Sequence, residues 1–199
     1  MSTIINNINQ LDLDGNYTYA DYLLWHFNER VEIIKGKIFK MSPAPSRMHQ
    51  DTSWLLARQI DKIFAKTKCN MYTAPFDVRL IDFKKSTEDN QITSVVQPDL
   101  CVVCDSNKLD DKGCIGAPDL IIEILSPGNS KREMTLKFDL YEENSVLEYW
   151  IVNQYDKTIL IYVLQNGKYI GLKPFTEDCI LESPTFPKLK FLINNIFRQ

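Results

Sequence analysis

Apolar and polar positions alternate in two runs near the middle of the chain, VQPDLCVVC (96–104) and APDLIIEILS (117–126), and each reads as a strand. In LIIEIL, Leu120, Ile122 and Ile124 share one face while Ile121, Glu123 and Leu125 share the other, and both faces read as buried. Residues 105–116 (DSNKLDDKGCIG) are rich in turn formers, so the two strands are expected to pair as a hairpin. The next run, SKREMTLKFDLYEEN, has helical period: Ser130 is the candidate N-cap, and Met134, Leu136, Phe138, Leu140 and Tyr141 fall on one arc. Lys137 falls near the middle of that arc, where packing wants an apolar residue. The Ser126-Pro127-Gly128 turn directs this helix back over Glu123.

The same reading gives a helix over MHQDTSWLLARQIDKIFAK with a buried stripe of Trp54, Leu55, Ala57, Ile60, Ile63 and Phe64. A first helix, capped by Thr18, is expected through TYADYLLWHFNE, with Tyr22, Leu23, Trp25 and His26 as packing candidates. LEYWIVN and TILIYVL read as neighbouring strands, the second turning at Asn166-Gly167 into KYIGL. Glu148-Tyr149-Trp150 is read as packing. Ser183-Pro184-Thr185 and Pro187 break the chain before a short helix expected around 189–197.

A chain of 199 residues, 44% hydrophobic, fits one domain over 1–199, with residues 1–15 expected as a loosely ordered N-terminal arm. No apolar stretch reaches the roughly 20 residues needed to span a bilayer, and no signal-peptide pattern is seen, so a cytoplasmic protein without a membrane partner is expected. Five cysteines are too few for a secreted disulfide scaffold and read as small buried hydrophobes. Cys101 and Cys104 point to opposite strand faces and cannot share a zinc ion. A net charge of −3 is not the footprint of a protein that coats nucleic acid, and the clusters Lys62, Lys66, Lys68 and Lys35, Lys37, Lys40 read as solvated faces.

Asp99 and Glu123 carry the chemistry. An ionised side chain out of water costs several kcal/mol unless it meets a cation, and two carboxylates brought together cost more. A metal ion satisfies both; the alternative is a structural Arg or Lys partner for Glu123, and a snorkelling role for Lys137. Two hard oxygen ligands holding Mg²⁺, with a lysine to orient water, are what metal-assisted phosphodiester hydrolysis requires.

At these residues the chain resembles the PD-(D/E)XK, restriction-endonuclease-like superfamily and, within it, the Uma-two family. The carriers are VEIIKGKIFKMSPAPSRMHQ (31–50), QPDLCVV (97–103), GAPDLIIEILSPGNSKREMTLKFDLYEENSVLEYWIVN (116–153) and LESPTFPKLKFLINNIF (181–197). The resemblance implies an α/β fold, a mixed central sheet flanked by helices, with Asp99 and Glu123 as metal ligands. The superfamily places lysine two residues after the second acid, where this chain has Leu125; the resembling branch supplies it from the next helix, which matches Lys137. The carbonyl of Ile124 is an expected extra ligand. Glu32 is expected as a supporting metal or water ligand, with a surface ion pair as its alternative, and His49 as a secondary, phosphate-contacting residue, with an ordinary polar contact as its alternative.

The resulting expectation is a metal-dependent DNA endonuclease using Mg²⁺, or Mn²⁺ in its place, with homodimer formation expected from the resemblance alone. Two alternatives stand beside it: an inactive nucleic-acid- or protein-binding module on the same fold, and a nuclease acting on RNA.

Overall fold

The computed structural model describes residues 4–41, 44–81, 87–126 and 131–197, leaving aside the side chains of 131 and 132. The Ser126-Pro127-Gly128 turn beyond Ser126 and the Ser130 cap lie outside the described residues. A short helix α1 (Tyr19–Tyr22) precedes the hairpin of β1 (Val31–Ile34) and β2 (Lys37–Lys40), and the long helix α2 (Arg47–Phe64) follows. Then come β3 (Asn70–Thr73), β4 (Val78–Leu80), β5 (Ser94–Val96), β6 (Leu100–Val103), β7 (Leu109–Asp110), β8 (Gly113–Ile115) and β9 (Leu120–Ile124). Helix α3 (Lys131–Glu143) leads into β10 (Glu148–Asn153), β11 (Thr158–Gln165) and β12 (Lys168–Gly171), and the last strands are β13 (Ile180–Glu182) and β14 (Lys190–Leu192).

These strands build two six-stranded mixed sheets, in the orders β2-β1-β5-β4-β8-β7 and β12-β11-β10-β9-β6-β3, beside the small β13-β14 hairpin. The fold is α/β, and the second sheet is the expected central one. β6 and β9 pair antiparallel as the sequence implied. β9 and β10 run parallel. A parallel pair needs a crossover connection, and α3 is that crossover.

The alternation in β9 sorts two cores. Leu120, Ile122 and Ile124 pack with Leu56, Ala57, Ile60 and Phe64 of α2. Ile121 lies in the other core with Leu140 and Tyr141 of α3 and Val78 and Val96 of the first sheet. Both faces of β9 are buried, so the cost of slipping it by one residue lies in driving the Glu123 carboxylate into the apolar α2 core, several kcal/mol for an unpaired charge. The Asn166-Gly167 turn has both residues at positive φ (51° and 77°), as a tight hairpin requires, and joins β11 to β12.

Several expectations change. α1 is capped by Thr18 as read, but it stops after Tyr22 because Trp25 leaves the helix to bridge Ile5. Within the first fifteen residues, Ile8–Gln10 form a 3-10 turn closed by an Asn7 capping box, with Ile8 buried. In α2 the buried stripe runs through Thr52, Leu56, Ala57, Ile60 and Phe64, whereas Trp54 is 61% exposed. The turn-rich 105–116 segment contains the β7-β8 hairpin, added to the edge of the first sheet. The expected C-terminal helix is instead β14 followed by a 3-10 turn, Ile193–Ile196, because residues 190–192 pair with β13. Cys69 and Cys104 are not thiols but a disulfide. The β3-β6 register, with Asn70 opposite Val103, sets residue 69 across from residue 104. Cys101 and Cys114 are buried and free, as read. Among the described residues no helix is long and apolar enough to cross a membrane.

Candidate active site

The β6-β9 register fixes the two acids. Leu100 pairs with Ile122, and continuing that register by one residue sets Asp99 across from Glu123. Residues directly opposite in an antiparallel pair share a face, with Cβ atoms about 4.5–5.5 Å apart. That face is the one α3 crosses, and Lys137 reaches down from it. Its Nζ donates to Glu123 Oε1 (3.0 Å) and to Glu32 Oε1 (3.0 Å), with only 6% of the lysine exposed. The lysine therefore does not snorkel, and Glu32 is not a surface acid. Glu32 comes from β1 in the other sheet, is 1% exposed, and also accepts from the Gln97 backbone N–H (2.8 Å).

The remaining predicted residues meet at the same point. Asp99 Oδ2 accepts from the Ile124 N–H (2.7 Å), which locks the carboxylate against the end of β9. His49, in the first turn of α2 behind its Ser46 cap, places Nε2 3.3 Å from Asp99 Oδ1. Its Nδ1 is buried and, among the described residues, has no partner. A cavity of about 880 Å³ opens over the group, and Asp99, Glu123, Lys137, His49 and Ile124 all line it.

Electrostatics follow from the crowding. Burial pushes the Glu123 carboxyl up, the Lys137 charge pulls it down, and the neighbouring Asp99 and Glu32 push it up again, leaving it at about 7. Burial pulls the Lys137 ammonium down, but the charges of Glu123 and Glu32 outweigh it and hold it above the usual lysine range. For His49, burial pulls down while the Asp99 hydrogen bond and charge, the Ile124 backbone and the Glu123 charge raise it, and the net direction is up. Lys137 balances two of the three carboxylates, Glu123 and Glu32, while Asp99 faces His49, so acids outnumber the one buried ammonium and the cluster favours a cation.

Three contributors escaped the sequence reading. Tyr141 lies on the apolar arc of α3, yet its hydroxyl donates to Glu123 Oε1 at 2.6 Å. A tyrosine one turn after an inward-facing lysine is the signal for it. Gln97 and Arg30 join the cavity wall through a hydrogen bond between them, and no spacing in the sequence links residues so far apart. Glu148, in contrast, is buried away from the cavity and accepts from Trp150 Nε1, Ser183 Oγ and the Thr185 N–H, so it is structural, as read.

A solved structure described as a "putative nuclease belonging to DUF820" from Anabaena variabilis shares this fold, with a TM-score of 0.69 and 21% identity, covering 91% of this chain and 97% of that one. No curated protein matches the chain. A family model, Uma2, described as "Putative restriction endonuclease", matches residues 19–194. That match spans nearly the whole chain and every site residue named above, and the protein belongs to the Uma2 family.

Proposed function

We propose that the protein is a metal-dependent endonuclease that hydrolyses phosphodiester bonds in DNA. The observation that carries this reading is the meeting of Asp99 and Glu123, opposite each other on adjacent strands, with a buried lysine beside them and a cavity above. The donor set fits Mg²⁺ or Mn²⁺. Among the described residues no three His, Cys, Asp or Glu side chains form a metal cage, and Mg²⁺ characteristically takes one or two carboxylates and keeps several waters. Two carboxylates and the Ile124 carbonyl are hard oxygen donors of that kind, and the excess negative charge favours a cation there. A divalent ion so held neutralises phosphate charge and lowers the pKa of bound water.

The chain's own groups do the rest. Lys137, held protonated by two carboxylates, is a donor and a fixed positive charge; it orients the attacking water and offsets charge developing on phosphate, and it is not a base. Glu32 and Tyr141 hold the ammonium and the Glu123 carboxylate in register, each from its own element. His49 fixes Asp99 from the opposite side.

The test uses supercoiled plasmid, single-stranded DNA and RNA with Mg²⁺, Mn²⁺ or EDTA, comparing the wild type with Glu123→Ala. Metal-dependent DNA cleavage abolished by the substitution is expected. Cleavage unchanged in Glu123→Ala refutes the assignment, cleavage of RNA alone moves the substrate, and no cleavage by the wild type favours a binding module.

A further inference from the structure

The cavity wall has a second set of groups that hydrolysis does not use. Arg30 donates through both Nε (3.1 Å) and Nη2 (2.6 Å) to the side-chain oxygen of Gln97. Gln97 is buried and braced from behind, its Nε2 donating to Asp77 Oδ1 (2.8 Å) and to the Tyr22 hydroxyl (3.2 Å). A guanidinium has five N–H groups, and here two are spent on a neutral amide, so the fork is aimed without its charge being cancelled by that partner. Lys137, the other Lys or Arg among the described lining residues, is already matched by two carboxylates. Across the cavity wall, α2 presents Trp54, 61% exposed, within a lining that includes Met41, Met71 and Pro75. An exposed aromatic face and an aimed arginine lining one cavity are a pairing suited to a base and its phosphate.

We infer that the cavity takes unpaired nucleic acid, a backbone phosphate on Arg30 and a base stacked on Trp54. This rests on the nuclease reading above and narrows its substrate to single strands. Stacking on a side chain requires a base face that a duplex keeps covered. A cavity of about 880 Å³ is the size of pockets that enclose a single small ligand, and so suits a nucleotide-sized unit. A duplex bears one charge per roughly 1.7 Å of axis and is held by several cations at once, which a chain of net charge −3 with this lining does not offer.

The test is fluorescence anisotropy on the full chain with Ca²⁺ in place of Mg²⁺, the probe verified intact by gel. Labelled oligothymidylate and oligouridylate of about twelve nucleotides are compared with a duplex of equal length. Both single strands should bind about tenfold tighter than the duplex, and the ratio between them assigns DNA or RNA. Trp54→Ala should weaken single-strand binding by about tenfold and leave the salt dependence unchanged. Arg30→Gln should lower the slope of log K against log salt by about 0.7, the value of one phosphate contact on a single strand, and Arg30→Lys should restore that slope. Both positions are exposed, and melting temperatures verify that the variants fold. Equal or tighter duplex binding, no oligonucleotide binding, or single-strand binding indifferent to both variants overturns the inference. The two readings fail separately. Binding of this pattern in a protein that never cleaves sinks hydrolysis alone, whereas cleavage lost in Glu123→Ala but indifferent to Trp54→Ala and Arg30→Gln sinks the single-strand inference alone.

Discussion

Lys137→Met removes the ammonium at the centre of the site while keeping a stem of similar length. Glu32, 1% exposed, is then left with the Gln97 N–H as its remaining donor, and Glu123 with the Tyr141 hydroxyl. Taking one partner from a buried ion pair costs about 3–5 kcal/mol, because the other charge stays out of water. Here part of that cost is escapable, since Glu123 already titrates at about 7 and losing the lysine pushes it higher. The full penalty is therefore expected near pH 8, and a smaller one near pH 5, where the Glu123 carboxyl takes up its proton. At about 2–4 °C per kcal/mol for a chain of this size, the melting temperature at the higher pH should fall on the order of 10 °C. Urea and thermal unfolding without divalent metal at the two pH values measure both quantities. Adding Glu32→Gln should recover part of the loss, because it removes the stranded charge. A penalty below about 1 kcal/mol near pH 8, or one equal at both pH values, would refute the buried ion-triplet account.

The wild type without metal should lose stability as pH rises from about 5 to 8. Glu123 is raised on folding, so its contribution is complete below the unfolded value of about 4.3 and is lost as pH climbs through about 7, by ~3 kcal/mol at most; His49, also raised, adds the same sign above about 6.5. A melting temperature that climbs across that window contradicts these shifts. Divalent-ion affinity, read by calorimetry, should strengthen over the same window, because the ligand carboxylates must be deprotonated. Glu148→Ala strands three donors and should cost about 3 kcal/mol or more by urea unfolding, while activity per folded molecule is unchanged. Leu125→Lys added to Lys137→Met should restore part of both stability and cleavage, since residue 125 lies on the Glu123 face; no recovery of either means that face does not admit a second route for the cation.

What the sequence disclosed is what depends on local period. The alternation in β9, the inward arc of α3 and the Asn166-Gly167 turn each concern residues within a few positions of one another, and each was read correctly. Asp99 and Glu123 could be matched because the segment between them returns the chain antiparallel to β6, even though it gives β7 and β8 to the other sheet. Legibility failed where short elements are held only by partners far away. β7 and β8 have two and three residues, too few for a period to register, and exist because β8 lies beside β4. The C-terminal segment has helix-compatible residues but is claimed by β13. The hydrophobicity of Trp54 points to the core, whereas the core-facing stripe of α2 passes through Leu56 and leaves the indole over the cavity. Arg30 and Gln97 were invisible because their connection is a side-chain hydrogen bond between sheet segments 67 residues apart.

The position of Lys137 on α3, rather than at residue 125, has a topological explanation. A lysine two residues after Glu123 would project from β9 to the same face, since side chains alternate. β9 and β10 are parallel neighbours, so the chain must cross over between them, and the crossover helix lies on that face with its apolar arc against Ile121. A cation at the middle of the arc is thus delivered to the point the strand position would have reached. What changes is the company it keeps. From the helix, Lys137 stands between β9 in one sheet and β1 in the other, and Glu32 meets it there. The ammonium consequently links the two sheets across the second core, so any substitution that removes it also loosens the contact between them.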